Sequence, residues 1–330
     1  MSHRTGVLLV ATGSPEAPEE GAVRAYLRRF LGDRRIVDLP RWQWLPILHL
    51  FILPRRPARS AERYASVWLP EGSPLAVGTS RQAAALRGLL DGDGRGDVEV
   101  AWCCLYSAPE LPDALAELLD ARSCDRLVVL PLYPQYASVT NGAIAQAVLE
   151  ALARRVRIPS VDFVDSFCDE PGYLDALADS VRRSGWSWAD DGRHALVFTF
   201  HSTLQKDVDA GDVYRDQVER TAREVARRLG VPEGSWRVGF QSVFDKRPWL
   251  GPLTCEDVIP ELAAAGVTDL AVVAPGFACE CLETHFDVDV EQREAFERLV
   301  PDGRFTYVPC LGDDPAFMRA VADVVERRLT

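Results

Sequence analysis

The sequence predicts an α/β protein whose chain folds into two similar halves, each built on a parallel sheet covered by helices. Apolar runs typical of strands alternate with amphipathic runs typical of helices throughout the chain. Their order also repeats: VLLVATGSP corresponds to ALVFTFHST, and DALAELLDARSCDRLVVLPLYP corresponds to EDVIPELAAAGVTDLAVVAPGF. Ligands of such folds bind beyond the carboxyl ends of the strands, so we expect a site in a cleft between the two halves.

Short apolar runs predict the strands, and longer runs with apolar residues at helical spacing predict the helices. The predicted strands cover residues 7–11, 98–102, 126–130, 195–200, 236–241 and 270–274. The predicted helices cover residues 22–31, 80–90, 112–120, 142–155, 214–229, 255–265 and 315–329. We expect an N-terminal domain of residues 1–158 and a C-terminal domain of residues 159–312. The last helix, within residues 313–330, is expected to pack back across both.

Length, charge and composition restrict the function. A chain of 330 residues suffices for two domains, and its net charge of −12 argues against nucleic-acid binding and fits attraction of a cation. No apolar run reaches the ~20 residues that span a bilayer, and the first residues do not form a signal peptide. We therefore expect a cytoplasmic protein.

The eight cysteines form no CxxC pair and lie mostly in or beside apolar strands. This arrangement predicts reduced, buried thiols that act as small apolar side chains. Cys279 and Cys281 flank Glu280, which leaves a soft-metal site there as a minor alternative.

An acidic segment follows the predicted strand at residues 270–274. After a turn at Gly276, its acids fall at Glu283, Asp287 and Glu291, a spacing that places all three carboxylates on one helical face. Like charges stacked in this way destabilise a helix by a few tenths of a kcal/mol per pair. Binding of a cation or passage of protons would explain them; a solvated acidic face is the alternative interpretation.

His201 follows the predicted strand at residues 195–200. The internal repeat places His201 and Glu283 at the ends of two strands of the same half, where both can face one cleft. A neutral imidazole facing carboxylates can bind a divalent metal or accept a proton, although a structural role is the alternative. The remaining histidines lack this setting: His3, His49, His194 and His285.

The segment of residues 41–68, here called the lip, fits neither half as core. It combines dense aromatic and aliphatic residues with a basic cluster at residues 55–59. It is too short to cross a membrane, and Pro46 and Pro54 are expected to break it. Apolar residues with basic flanks suit a large flat ligand that carries carboxylates, or contact of residues 41–59 with a bilayer surface. A helix packed on the body is the alternative.

With these features the chain resembles the ferrochelatases, which insert ferrous iron into a porphyrin at the end of haem synthesis. The resemblance covers nearly the whole length through motifs in the same order: LLVATGSPEAP, LPRRPARSAERYASVW, EGSPLAV, VLPLYPQYAS, FHS, DAGDVY, FQSVF, WLGPLT, PGFACECLET and VPCLGDDPAF. It implies a type II chelatase-like fold with two similar Rossmann-like domains, each a four-stranded parallel sheet flanked by helices.

The resemblance also implies the site residues. His201 matches the family's histidine at the porphyrin face, as pyrrole proton acceptor or metal ligand, and Glu283 matches the catalytic glutamate opposite. Glu280 stands where the family commonly has aspartate. Asp287 and Glu291 continue an acidic ladder for metal or protons along a helix with a π-type turn, and all five residues form the implied metal set. The implied substrate-binding residues are Thr12, Arg56, Tyr64, Ser73, Tyr136, Ser242 and Trp249.

The chain departs from the family pattern near these positions. Leu105 stands where an arginine is usual, and Val243 replaces a basic residue in the QSVF motif. Leu204 and Gln205 alter the loop after His201. Two lost cations would weaken carboxylate binding or a structural ion pair, which leaves room for a paralogue with changed activity.

The resemblance implies Fe²⁺ as a substrate and no tightly bound cofactor. Ser138 stands at the family's internal cluster-cysteine position, so no iron–sulfur cluster is expected. We expect protoporphyrin IX as the porphyrin and haem b as the product, because the long apolar lip suits a ligand that arrives from a membrane. The alternatives are coproporphyrin, another metal, or a non-catalytic tetrapyrrole or haem carrier.

The expected partners are the porphyrin, ferrous iron and, through residues 41–59, a membrane surface. Nucleic acid is not expected. We expect a monomer or weak dimer in the cytoplasm, with a peripheral location at the inner face of the membrane as a further expectation.

Overall fold

The computed structural model of the chain describes residues 4–329, so His3 lies outside the described residues. The chain divides into two compact units. The first contains residues 4–132, 138–165 and 322–329, and the second contains Tyr133–Ala137 and Ser166–Val321. The sequence-based division at residues 158 and 159 falls a few residues before the change of unit after Asp165. The last helix, Pro315–Glu326, begins in the second unit and ends in the first.

Each unit contains a four-stranded sheet whose strands are all parallel. The first sheet consists of Thr5–Ala11 (β1), Val98–Cys104 (β2), Arg126–Pro131 (β3) and Ser160–Phe163 (β4), in the spatial order β2-β1-β3-β4. The second consists of His194–His201 (β5), Trp236–Gln241 (β6), Asp269–Val273 (β7) and Arg304–Val308 (β8), in the order β6-β5-β7-β8. The predicted fold class is confirmed.

Helices connect the strands in both units. The α-helices of the first unit are Glu20–Phe30, Arg41–Ile47, Arg56–Val67, Pro74–Gly92, Leu111–Ala116 and Ala143–Leu152. Before the last helix, those of the second unit are Pro171–Arg183, Gln205–Asp209, Tyr214–Leu229, Ile259–Ala264 and Arg293–Leu299. Other segments are π-helices, whose N–H groups bond five residues back instead of four. They are Leu48–Ile52, Glu117–Ala121, Ser138–Gly142, Thr254–Val258 and Thr284–Gln292.

The central strands form the interior of each unit. Every residue of β1 is buried, and in β5 all residues between the two ends are buried. Strands buried on both faces are typical of parallel sheets flanked by helices. The carboxyl end of such a strand is therefore where side chains become accessible. In the second unit β5 ends at His201, and its neighbours β6 and β7 end at Gln241 and Val273, so the segments that follow all leave one edge of the sheet.

The lip contains both buried and exposed apolar residues. Trp44 is buried and its indole Nε1 donates to the Leu31 carbonyl at 2.7 Å, so part of the lip packs on the first unit. Trp42, Leu50 and Phe51 are 76%, 66% and 56% exposed. A surface of large apolar side chains therefore remains on this segment.

The expectation that Pro46 breaks the lip is wrong. Pro46 lies inside the helix Arg41–Ile47, which continues directly as the π-helix Leu48–Ile52. Proline has no backbone N–H, so the carbonyl of Trp42, four residues earlier, lacks its usual α-helical donor, yet the helix continues past this position. Among residues 4–329, no helix is long and apolar enough to cross a membrane.

Candidate functional site

His201 is the last residue of β5 and is half-buried. Its Nδ1 lies 2.7 Å from the Ser202 carbonyl oxygen. Because a carbonyl can only accept, Nδ1 carries the hydrogen, and in the neutral imidazole the lone pair is on Nε2. The Tyr214 hydroxyl donates to the His201 carbonyl at 3.0 Å, which fixes the backbone at the strand end. Nε2 is thus the nitrogen that can take a proton or a metal ion.

The predicted acidic ladder lies on the π-helix Thr284–Gln292 and the residue before it. Glu283 and Asp287 are half-buried, whereas Glu291 is exposed. The three carboxylates therefore extend from the partly enclosed strand end to the solvent.

Asp287 shows which of the predicted residues lie together. Burial is the main cause that raises the pKa of Asp287 from 3.8 to about 6. The Ser242 hydroxyl donates to this carboxylate and opposes the rise, while Glu283 and Glu291 increase it and His201 opposes it. Charges that act on one carboxyl group must be close to it. Ser242 is thus in direct contact with Asp287, and His201, Glu283 and Glu291 lie within electrostatic range of it.

Ser242 and Cys255 lie near Asp287, the first in an uncommon backbone conformation and the second with a raised pKa. Ser242 has a φ of 66°, a left-handed conformation that is uncommon outside glycine and often marks a functional constraint. This conformation accompanies the donation of its hydroxyl to Asp287. Cys255, on the π-helix Thr254–Val258, has its pKa raised to about 12, first by burial and then by acids that include Glu291 and Asp287. No spacing in the sequence connects Cys255 with the ladder.

Glu280 has a different setting from Asp287. Its carboxylate accepts from the Thr284 hydroxyl at 2.7 Å, from the Tyr307 hydroxyl at 2.9 Å and from the Cys310 backbone N–H at 2.8 Å. Both oxygens thus have protein donors, which is typical of a structural carboxylate. Its assignment to the metal set stays a prediction.

The thiols near Glu280 are protonated at neutral pH. Burial raises the pKa of Cys281 and of Cys310 well above the usual range, and the nearby Glu283 and Glu280 add to the respective shifts. All eight cysteines are free thiols, six of them buried. Within residues 4–329, no group of three or more His, Cys, Asp or Glu side chains is arranged to hold a metal ion.

The segments after β5 and β6 pair with each other. Gln205 N donates to the Pro248 carbonyl at 3.0 Å, and Leu250 N donates to the Thr203 carbonyl at 2.8 Å. Leu204 and Trp249 form an isolated bridge between the two segments. The departures at Leu204 and Gln205 thus fall where the His201 loop contacts the segment of Trp249.

Trp249 stands in a cluster that the sequence analysis missed. Its Nε1 donates to Asp245 at 3.0 Å, and its ring lies edge-on to Phe244 with centroids 4.7 Å apart. Burial raises the pKa of Asp245, but hydrogen bonds from Arg247 and Trp249 outweigh it and leave the pKa lowered. Asp245 precedes Arg247 by two residues and Trp249 by four, and this spacing was the signal available in the sequence. Val243 and Phe244 are exposed on the same loop.

The remaining predicted substrate residues are mostly in the first unit. Thr12 follows β1 and is half-buried, whereas Arg56 begins the helix Arg56–Val67 and is exposed. Tyr64, on that helix, is buried and lies edge-on to Trp68 with ring centroids 6.3 Å apart. Tyr136 belongs to the second unit, where its backbone N–H donates to Gln217 Oε1 at 2.7 Å.

Ser73 belongs to a group of buried hydroxyls in the first unit. It begins the helix Pro74–Gly92 and accepts from Ala76 N at 3.2 Å, and its hydroxyl also contacts that of Ser14. The Ser14 backbone N–H in turn donates to the Ser107 hydroxyl at 3.2 Å. Ser14 and Ser107 were not predicted, although each follows shortly after a strand.

A groove in the first unit contains none of the predicted site residues. It encloses about 510 Å³ beside β2 and is lined by residues that include Arg87, Glu99 and Arg122. Arg122 pairs with Glu117 at 2.8 Å, and Glu99 pairs with Arg4 at 2.9 Å. Glu99 and Arg122 of this lining are thus paired within the protein.

Comparison with known proteins gives consistent results. The chain matches the family model described as Ferrochelatase over residues 4–329. It is 42% identical over 329 residues to a ferrochelatase of Aromatoleum aromaticum (strain EbN1), covering 99% of this chain and 88% of that protein. It is 41% identical over 328 residues to a ferrochelatase of Neisseria gonorrhoeae, covering 99% and 94%.

Solved structures show a likeness in fold alone, because the sequence identities are low. SirB from Bacillus subtilis with Fe³⁺ has a TM-score of 0.58 at 13% identity, covering 98% of this chain and 95% of that chain. The sirohydrochlorin chelatase SirB from Bacillus subtilis subspecies spizizenii, in complex with cobalt, has a TM-score of 0.55 at 12% identity, covering 98% and 94%.

Proposed function

Since the chain belongs to the ferrochelatase family and is an enzyme that inserts iron into a porphyrin in haem biosynthesis, we propose that its porphyrin is protoporphyrin IX and its product haem b. We propose that the porphyrin binds beyond the carboxyl end of β5, next to His201. The observation that best supports a metal-insertion site in the second unit is the gathering of one imidazole and three carboxylates around the carboxyl end of β5.

Insertion exchanges two pyrrole N–H protons for one Fe²⁺ ion on the four ring nitrogens. A base at the face of the ring is therefore required, and His201 is our candidate because its lone pair is on Nε2. Glu283 would share this task from the acidic segment. The alternative in which His201 is instead an iron ligand uses the same nitrogen.

The acidic ladder supplies a route for the ion or the protons. Fe²⁺ accepts oxygen and nitrogen ligands, and the exposed Glu291 with the half-buried Asp287 and Glu283 offers carboxylates both in solvent and below the surface. Asp287, with a pKa of about 6, can also exchange a proton near neutral pH. Zn²⁺ and Co²⁺ accept the same ligands, so we expect them to compete in a metal-exchange assay.

Alanine at His201 or Glu283 tests the assignment. Each variant should lose at least about a hundredfold in the rate of metal insertion, because the base or its partner is gone. His194→Ala is the control, since His194 lies at the opposite end of β5 and pairs with Asp191 at 2.9 Å. Near-normal turnover in both site variants would refute the roles of His201 and Glu283.

The choice of protoporphyrin rests on the lip. The exposed Trp42, Leu50 and Phe51 suit an amphipathic ligand that arrives from a membrane. Steady-state insertion of Fe²⁺ into protoporphyrin IX and coproporphyrin by the purified protein tests this choice. A higher kcat/KM for coproporphyrin would overturn the choice of protoporphyrin. Binding of either porphyrin without the absorbance spectrum of the metallated ring would support a carrier instead.

We further propose that the enzyme is cytoplasmic and contacts the inner face of the membrane through residues 41–59. The double variant Leu50→Ser/Phe51→Ser should bind anionic phospholipid vesicles at least about tenfold more weakly, because two large apolar side chains no longer enter the interface. Leu149→Ser is the matched control, since Leu149 is also an exposed leucine, 54% accessible, of the first unit. Equal loss in the control would contradict a specific role of the lip.

We also propose that the enzyme holds no tightly bound cofactor and no iron–sulfur cluster, and that it is a monomer or weak dimer. Ser138 offers a hydroxyl rather than a thiolate and accepts from Arg35 at 3.0 Å. Absorbance spectroscopy and iron analysis of the purified protein test the first part, and sedimentation velocity tests the second. Stoichiometric iron with sulfide would refute the absence of a cluster.

A further inference from the structure

Four buried polar side chains lie next to the site residues in the second unit. Thr199, Thr254 and Gln292 are 0% exposed, and Gln241 is 7% exposed. They come from four different elements: Thr199 from β5, Gln241 from β6, and the other two from the π-helices Thr254–Val258 and Thr284–Gln292.

The four side chains form one hydrogen-bond network. Gln292 Nε2 donates to Thr199 Oγ1 at 3.0 Å and to Gln241 Oε1 at 2.7 Å. The Thr199 hydroxyl also donates to Gln241 Oε1 at 2.9 Å and lies 3.0 Å from the Thr254 hydroxyl. A side chain at Gly239 would collide with Thr254, so the backbone of β6 approaches the network closely. The amide of Gln292 thus bonds to two neighbouring strands at once.

Three of the four network residues adjoin different parts of the site. Gln292 follows Glu291 on the π-helix, and Gln241 precedes Ser242. Thr199 lies two residues before His201, so the two side chains point to the same face of β5. The network therefore links the three segments that carry the imidazole, the hydroxyl bound to Asp287 and the acidic ladder.

Stability alone does not require this arrangement. Replacing two buried, mutually bonded polar groups by apolar groups of similar shape is often close to neutral. Apolar contacts are non-directional, however, and would allow the helix to slip from π-type to α-type bonding, which moves each ladder residue around the helix axis. Hydrogen bonds from Gln292 have fixed directions and oppose such a slip.

We propose that Gln241 and Gln292 are positioning residues for metal insertion, which hold the acidic π-helix in register with the ends of β5 and β6. The proposal rests on the proposed function of the same site. In this role the two amides touch no reacting atom. They keep Asp287, Ser242 and His201 in one arrangement.

The test uses the double variant Gln241→Leu/Gln292→Leu with both single variants. Gln241→Leu removes the acceptor of one Gln292 N–H, and Gln292→Leu removes one of the two donors to Gln241 Oε1. Each single variant should therefore unfold at a lower denaturant concentration than the parent protein. The double variant should recover most of that stability, while Thr199 keeps Thr254 as a neighbour at 3.0 Å. Its kcat for Fe²⁺ insertion should nevertheless remain lower by about tenfold to a hundredfold, with the KM for porphyrin within about twofold of the parent value.

Gln82→Leu is the matched control, because Gln82 is also 0% exposed but lies in the first unit. It should lose stability and keep its kcat per folded molecule. Hydrogen exchange at residues 284–292, measured without substrates, should be faster in the double variant and unchanged in the control.

Three results would overturn the inference. They are recovery of kcat together with stability in the double variant, an equal loss of kcat in Gln82→Leu, and unchanged exchange at residues 284–292. If the double variant does not fold, the comparison of Gln292→Leu with Gln82→Leu at equal folded concentration decides the matter. Failure of the parent protein to insert iron would instead refute the proposed function.

Discussion

The two units repeat one architecture and differ in the chemistry of corresponding segments. The sheet orders β2-β1-β3-β4 and β6-β5-β7-β8 match, and in each unit the third strand along the chain is followed by a π-helix. The π-helix Ser138–Gly142 has the sequence SVTNG, whereas Thr284–Gln292 has the sequence THFDVDVEQ. The π-type backbone therefore belongs to the repeated fold, and the carboxylates that make it a candidate metal route occur in one unit only.

The ends of the first strands show the same contrast. β1 leads to Thr12 and then to the buried hydroxyl of Ser14, while β5 ends at His201. Hydroxyls can donate to a carboxylate, whereas a neutral imidazole also offers a lone pair to a proton or a metal ion. The strand end in the first unit thus offers hydroxyl donors, and the strand end in the second unit offers a base.

The largest effect is expected from removing charge in the acidic π-helix. Glu283→Gln and Asp287→Asn should each lower kcat for metal insertion by about a hundredfold, because proton or metal transfer needs the carboxylate. Ser138→Ala, in the π-helix of the first unit, should leave kcat within about twofold, because no charge is lost there. Steady-state kinetics of the three variants measures the difference in kcat. An equal loss of kcat in Ser138→Ala and in the two acidic variants would contradict this difference between the units.

The next largest effect is expected in how the free energy of unfolding depends on pH. The pKa of Asp287 is raised from 3.8 to about 6, chiefly by burial. A carboxyl group with a raised pKa in the folded state contributes stability that is fully present below pH 3.8 and is lost as the pH rises through about 6. Asp287→Asn should therefore be more stable than the parent protein at pH 8 by roughly 1–3 kcal/mol.

Urea unfolding of both proteins between pH 4 and pH 8, at about one-unit steps, measures this difference. The difference should shrink as the pH falls from 8 to 4, because the carboxyl group is then neutral in the folded chain and partly protonated in the unfolded chain. A constant difference across that range would show that the charge of Asp287 is not responsible.

The smallest expected effect is a change in unfolding free energy when either of two tyrosines, one in each unit, is replaced. The Tyr307 hydroxyl donates to the Glu280 carboxylate at 2.9 Å, and the Tyr26 hydroxyl donates to the Gly13 carbonyl at 3.0 Å. Bonds to charged groups are stronger, so Tyr307→Phe should cost about 2 kcal/mol of unfolding free energy and Tyr26→Phe about 1 kcal/mol. Chemical denaturation of the two variants compares them, and the reverse order would contradict a stronger bond to Glu280 than to the Gly13 carbonyl.

The sequence predicted the interior of the fold better than its edges. The bounds of β6 and of the helix Tyr214–Leu229 match the predicted 236–241 and 214–229. The edge strands β4 and β8 were missed because SVDF and RFTYV are partly exposed and lack a continuous apolar run. The helix Pro171–Arg183 was missed because the segment was interpreted as a join between the halves.

The candidate site was predictable where its residues follow a local pattern. The spacing of four in the acidic segment indicated one face, and the repeat placed His201 at the corresponding edge. The partners of Glu280 were not predictable, because Tyr307 and Cys310 are distant in sequence and no spacing connects them. The same holds for the bond between Gln241 and Gln292, which depends on how two separate elements pack.

The protonated thiols around the acidic segment bear on how the enzyme treats other cations. Thiolates prefer soft, late transition metals, and a single accessible thiolate would retain Cu⁺ or Zn²⁺ long after ferrous iron had left. Burial raises the pKa of Cys255, Cys281 and Cys310, so at neutral pH these sulfurs keep their hydrogens and are poor ligands. We therefore expect thiophilic ions to inhibit the enzyme more weakly at neutral pH than in alkaline solution or after unfolding.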